Sequence, residues 1–277
     1  MPEKITVPSV RARKRRRGSE PIVMLTAYDT PSAAAADAGG AEILLVGDSV
    51  ANAVLGHPDT LQVDVHVLAH HAGAVARARP RALVVVDMPW LSYHLGEADA
   101  VRNAAELVRA GAEAVKIEGG AVRVPVVHAL LAAEIPVMGH LGLTPQSVHV
   151  MGGYRVQAHE DEAAAALVAD GLALQRAGCF AVVVEGVPDV VGAALCDALE
   201  VPVIGIGAGA HTDGQVLVFH DLLGFGQVPV AKFVRQYANL HDVAARAVSA
   251  WAADVRSGSF PSDAETYHAS TRIATSP

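Results

Sequence analysis

Acidic, basic and hydroxyl residues gather at the ends of six short apolar runs in this 277-residue chain. Asp29 closes IVMLTAYD, Asp48 and Ser49 close EILLVGDS, Asp87 lies in ALVVVDMP, Glu118 in AVKIEGG, His140 in IPVMGHLG and Glu185 in AVVVEGV. Two carboxylates at adjacent run ends, Asp48 and Asp87, supply oxygen ligands for a hard cation such as Mg²⁺ and leave positions for water and substrate. Either one alone could instead cap the next helix. In V-K-I-E, Lys116 and Glu118 are two residues apart, so on a strand they share a face while Val115 and Ile117 take the other. A charged pair inside an apolar strand is a functional-site candidate, with a structural ion pair as the alternative. His140 is open to two readings, catalytic group or hydrogen-bonded core histidine. Gly207 and Gly209 in IGAG permit a tight turn, which by itself is weak evidence of a ligand loop. Neither HExxH nor a Cys/His spacing points to zinc, and the His70-His71 pair falls in the segment after the second run.

For residues so far apart in sequence to meet, the fold must bring the run ends together. Seven runs rich in Val, Ile and Leu alternate from Pro21 onward with Ala-rich stretches of helical period, which is the pattern of βα units. Gln215–His220 is the best eighth strand, although it leaves little room for a helix after Gly209, so an irregular barrel is expected. Glu97–Ala110 and Asp161–Ala177 read as amphipathic helices, each closed by a glycine, Gly111 or Gly178, suited to the left-handed C′ position. The fold class is α/β, a (β/α)8 TIM barrel with an N-terminal helix and a C-terminal helical extension. In such a barrel the C-terminal strand ends converge on one face. A single domain over 1–277 is expected, with 1–20 as an N-terminal helix or arm, a helical pattern from Val230 to about Arg256, and a tail over 258–277. The basic run from Arg11 to Arg17 reads as the solvated face of that helix or arm.

Composition narrows the function classes. Hydrophobic residues make up 52% and charged residues 18% of the chain, which suits a sheet covered on both faces. A net charge of −8 and an aromatic content of 4% argue against a nucleic-acid partner. Cys179 and Cys196 form neither a CxxC pair nor a disulfide framework. No apolar stretch approaches a membrane span and no signal-peptide core precedes the first run, so a cytoplasmic location is expected.

At these same positions the chain resembles the ketopantoate hydroxymethyltransferase family, over roughly Ile22 to Asn239. The resemblance rests on TAYD, LLVGDS, VLGH, DMP, VKIEGG, GHLGLTPQS, MGGY, VIGIGAG and DGQVLVFHD in that order, and FPSDAETYH in the tail is also similar. It implies that Asp48 and Asp87 bind Mg²⁺ directly, with Glu118 supporting the metal's water shell. Ser49 and Lys116 would hold the substrate carboxylate, Glu185 would be the general base, and His140 would sit near the product hydroxyl. The implied reaction is hydroxymethyl transfer from 5,10-methylenetetrahydrofolate to 3-methyl-2-oxobutanoate through a Mg-stabilised enolate, giving ketopantoate as the first step of pantothenate biosynthesis. The implied assembly is a homo-oligomer, often a decamer. Three places depart from the family pattern: Val50-Ala51-Asn52 where glycine is often found, Arg155 where Lys is common, and Gly186 where a bulkier residue or Cys is often seen.

Other classes compete with this reading. A metal-dependent barrel lyase or aldolase acting on a 2-oxo acid would use the same groups without folate. A Schiff-base aldolase would use Lys116, although Glu118 two residues away should keep that lysine charged. A binding or scaffolding barrel without activity is the non-enzymatic rival, and an RNA-binding arm over Arg11–Arg17 is another.

Overall fold

The computed structural model describes residues 3–14, 18–225 and 231–268. Eight parallel strands close into a barrel in sequence order: β1 (Ile22–Thr26), β2 (Ile43–Val46), β3 (Leu83–Asp87), β4 (Ala114–Glu118), β5 (Val137–Gly142), β6 (Ala181–Glu185), β7 (Val203–Ile206) and β8 (Gly214–Leu217). Alternation of side chains along each strand sorts the core into two parts. Leu44, Val84, Val86, Val115, Ile117, Val182 and Val184 face outward into the helix layer. Met24, Ile43, Leu83, Val85, Ala114, Met138, Ala181, Val183 and Ile204 fill the barrel interior.

The helices Glu97–Ala110 and Asp161–Ala177 have the bounds read from the sequence, and Gly111 (φ 123°) and Gly178 (φ 110°) end them with positive φ. The eighth strand differs from the expected one: it spans Gly214–Leu217, and His220 falls in a short helix, Phe219–Leu222. Gly214 is the residue that pairs with both Ile22 and Ile204, and Thr26 Oγ1 accepts from Phe219 N at 2.9 Å, which draws the chain out of the ladder. Among the described residues no helix lies between β7 and β8, so the barrel is irregular there, as expected.

Two terminal expectations are corrected. The N-terminal helix covers only Val7–Arg11, with Pro8 in its first turn. The basic run is not a solvated face throughout. Arg13 pairs with Glu42, while Lys14 is buried at the base of the barrel against Asp213 at 2.7 Å, each side chain 1% exposed. Lys14 also donates to Cys196 O at 2.6 Å, and Asp213 accepts from Val203 N at 2.8 Å. This one lysine thereby ties the helix Asp189–Ala198, β7 and β8 together. Arg15–Arg17 lie outside the described residues.

At the other end, the helix starts at Leu240 rather than Val230, itself outside the described residues, because Asn239 accepts from Asp242 N and caps it. The helix Leu240–Ser257 has no buried residue. Its Val243, Val248, Trp251 and Val255 are exposed, and so is Val23 on the outer face of β1. Among the described residues, no helix is long and apolar enough to cross a membrane.

Candidate active site

Each strand that supplies the site begins apolar on its inward face and ends charged. β3 runs Leu83, Val85, Asp87; β4 runs Ala114, Lys116, Glu118; β5 places His140 above Met138; β6 places Glu185 above Ala181 and Val183. Strand register makes neighbours of Asp87 and Lys116, and of Glu118 and His140. With Asp48 and Ser49 just beyond β2, these residues line one cavity of about 200 Å³ at the C-terminal mouth of the barrel. A larger groove of about 660 Å³ lies along Asp189, Cys196 and Asp213, where no helix covers the β7–β8 connection, and it contains none of these groups.

All seven residues singled out as site candidates therefore converge: Asp48, Ser49, Asp87, Lys116, Glu118, His140 and Glu185. Asp29 does not. It is exposed and caps the helix Thr30–Ala38 by accepting from Ser32 N, the role the sequence had left open for Asp48 and Asp87.

Lys116 Nζ forms an ion pair with Asp87 Oδ1 at 2.9 Å and lies 3.2 Å from His140 Nδ1. Burial works against the lysine charge, but Asp87, Glu118 and Asp48 outweigh it and hold the ammonium pKa above its ordinary value. That counts against an amine nucleophile. Burial, then the charges of Asp87 and Glu118, push the Asp48 carboxyl well up. Burial likewise raises Asp87, against the pull of Lys116. His140 Nδ1 is 3.4 Å from Glu118 Oε1, and Nε2 is 3.3 Å from Glu185 Oε2. Burial and Lys116 lower the His140 pKa, yet the flanking carboxylates of Glu118 and Glu185 leave it raised. An ammonium group only donates, so in the neutral ring Nδ1 accepts and Nε2–H faces Glu185.

Sequence reasoning missed Gln146, Tyr28, Tyr93 and Thr60. Gln146 is buried and donates from Nε2 to Asp48 Oδ2 at 2.8 Å, and Ser49 Oγ is 2.8 Å from Tyr28 Oη. Thr60, buried at the cavity wall, has an Oγ1 with no hydrogen-bond partner among the described residues. Tyr28 in TAYD and Gln146 in LTPQS sat within motifs already singled out, but nothing in their spacing marks a pocket.

Three buried carboxylates, Asp48, Asp87 and Glu118, face one ammonium group, Lys116. Such a surplus of negative charge suits a divalent cation. Among the described residues no three His, Cys, Asp or Glu side chains stand together as a complete ligand set. This donor set fits an ion like Mg²⁺, which takes one or two carboxylates and fills its other positions with water and substrate oxygens.

The ketopantoate hydroxymethyltransferase family model matches residues 4–263. The chain belongs to the ketopantoate hydroxymethyltransferase family. Among family members, 3-methyl-2-oxobutanoate hydroxymethyltransferase 2 of Bradyrhizobium diazoefficiens is 51% identical over 265 residues, covering 96% of this chain and 90% of that protein. The 3-methyl-2-oxobutanoate hydroxymethyltransferase of Shouchella clausii is 48% identical, covering 92% of each. The barrel itself is shared more widely. A 2,3-dimethylmalate lyase of the PEP mutase/isocitrate lyase superfamily superposes with a TM-score of 0.60 at 18% identity, over 96% of this chain and 93% of the lyase. A phosphonopyruvate hydrolase gives 0.60 at 13%, over 94% and 92%. These two likenesses show the fold alone. The departures from the family pattern are accommodated: Val50 and Ala51 are fully buried, Arg155 is exposed, and Gly186 adopts φ 55°, a left-handed conformation that favours glycine.

Proposed function

We propose that this chain is an enzyme that transfers a hydroxymethyl group from 5,10-methylenetetrahydrofolate to 3-methyl-2-oxobutanoate, forming ketopantoate for pantothenate biosynthesis. The observation that carries the proposal is the convergence, in a family member, of Asp48, Asp87, Lys116 and Glu185 on one cavity at the strand ends. Asp48 and Asp87 would hold Mg²⁺, with Glu118 orienting its water. When bound there, the ion would supply Lewis-acid polarisation to the keto oxygen of a chelating 2-oxo acid.

The chain's own groups do the remaining work. Lys116 and Ser49 receive the substrate carboxylate, and Lys116 keeps a positive charge beside the oxygen on which negative charge develops. Glu185, at the cavity rim with a side chain 16% exposed, takes the proton from the carbon next to the keto group. That carbon becomes bonded to the one-carbon unit, both C–N bonds that held the unit to the folate break, and water supplies the new hydroxyl, while the proton taken from the substrate and one from the water go to the two folate nitrogens. His140 Nε2–H, beside Glu185, is placed to hydrogen-bond that hydroxyl.

A homo-oligomer in the cytoplasm completes the reading. The apolar stripe of the helix Leu240–Ser257 and an apolar groove of about 350 Å³ beside β1 and β8, lined by Val23, Leu217 and Leu222 among others, support assembly, with the family's decamer as the expected form. Free, buried Cys179 and Cys196 suit a reducing compartment.

The test follows consumption of 3-methyl-2-oxobutanoate with and without methylenetetrahydrofolate, with Mg²⁺ or with excess chelator. It also follows exchange of the substrate's C3 proton in D2O by NMR without folate. Glu185→Gln should slow exchange by about 10²–10⁴-fold. Unchanged exchange removes Glu185 from the role of base, and turnover that ignores folate gives the site to lyase chemistry.

A further inference from the structure

Gln146 touches two of the three acidic groups that would face the cation and its water, Asp48 and Glu118. Its side-chain Nε2 donates to Asp48 Oδ2 at 2.8 Å and to Met88 O at 3.0 Å, while its backbone N donates to Glu118 Oε2 at 2.9 Å. One oxygen of each carboxylate is thereby occupied, which leaves Asp48 Oδ1 and Glu118 Oε1 for other partners. The residue lies in a short turn, Pro145–Ser147, immediately after the loop that leaves β5. Its main chain and side chain reach two different strands' ends at once.

The orientation of the Gln146 amide is fixed from behind by Tyr93. Tyr93 Oη accepts from Glu118 N at 3.2 Å and donates to Gln146 Oε1 at 2.6 Å. The longer contact from Oη to Glu118 O, 3.4 Å, competes poorly for the single phenolic hydrogen. A flipped amide would set Oε1 against the Asp48 carboxylate and the Met88 carbonyl, three acceptors together. Tyr93 is 1% exposed and does not line the cavity. Burial, with the Glu118 charge adding to it, keeps its phenol protonated and able to donate.

We infer that Tyr93 and Gln146 are positioning residues that act as a relay, setting which oxygens of Asp48 and Glu118 are presented to a divalent cation. The inference rests on the metal reading proposed above and adds the residues that make the site selective in geometry. Partners behind metal-binding carboxylates are commonly worth 10–100-fold in affinity.

The probe is Mn²⁺, whose free ion is counted by electron paramagnetic resonance in equilibrium with the full-length protein, without substrates. Wild type should retain Mn²⁺, and Asp48→Ala should not. Tyr93→Phe and Gln146→Met should each raise the Mn²⁺ dissociation constant by about 10-fold or more. The double variant should lose less than the product of the two single losses, because Tyr93 acts largely through Gln146. Tyr93→Phe removes one oxygen atom and keeps the ring, so it carries the test if Gln146→Met does not fold. Dissociation constants within twofold of wild type for Tyr93→Phe, or fully multiplicative losses, would overturn the relay while leaving the metal site standing. A wild-type protein that retains no Mn²⁺ would overturn the metal reading and the relay with it.

Discussion

Lys14 offers the sharpest test of how the barrel base is held. Lys14→Met keeps the length of the side chain and removes its charge, so the Asp213 carboxylate, 1% exposed, loses its 2.7 Å ion pair with Lys14. Removing one partner of a buried ion pair costs about 3–5 kcal/mol. The lower end, about 3 kcal/mol, applies here because Val203 N–H at 2.8 Å and the Cys196 thiol at 3.3 Å still donate to Asp213. At about 2–4 °C per kcal/mol for a chain of this size, the melting temperature should fall by roughly 6–12 °C. Thermal and urea denaturation, at one protein concentration so that assembly does not shift the comparison, would measure it. Adding Asp213→Asn to Lys14→Met removes the carboxylate charge as well, and its amide oxygen still accepts from Val203 N. The double variant should recover most of the loss. A single variant that loses less than about 1 kcal/mol, or a double variant less stable than the single, would refute the argument that loss of the Lys14–Asp213 ion pair sets the cost.

Three further outcomes are expected. In Gly142→Ala the new methyl would meet Glu185 O at 2.3 Å on a backbone with φ 86°, so the end of β6 must shift. Steady-state kinetics should show kcat lower by roughly 10–100-fold, as for a small misplacement of a reacting group. Lys116→Met should weaken binding of 3-methyl-2-oxobutanoate by about 10–100-fold, the worth of a charge-assisted hydrogen bond, which calorimetric titration would read. If the proposed assembly uses the stripe of the C-terminal helix, Trp251→Asp should lower the mass read by size-exclusion chromatography with light scattering, with the far-ultraviolet dichroism of the barrel intact.

Much of the site was legible because a parallel barrel converts position along a strand into position in space. The alternation in V-K-I-E was enough to set Lys116 and Glu118 inward, and the acidic run ends were enough to gather Asp48, Asp87 and Glu185. Asp29 follows the same pattern and yet points away, because Ser32 three residues on offers its backbone N–H for capping. No periodicity distinguishes those two fates. Gln146 and Tyr93 escaped for another reason: they act through hydrogen bonds across loops, and a Gln after Pro or a Tyr in a loop carries no spacing signal. Lys14 escaped because five neighbouring basic residues, Arg11, Arg13 and Arg15–Arg17, mask it. Its burial depends on Asp213, 199 residues away.

That separation also sets a schedule for synthesis. Lys14 and β1 are made early, but Asp213 and β8, their partners at the base and wall, emerge about 200 residues later. At roughly 5–20 residues per second, the N-terminal segment waits on the order of 10–40 s for them. During that interval β1 is an open edge able to pair with other chains, and the arrival of β8 closes both the ladder and the base.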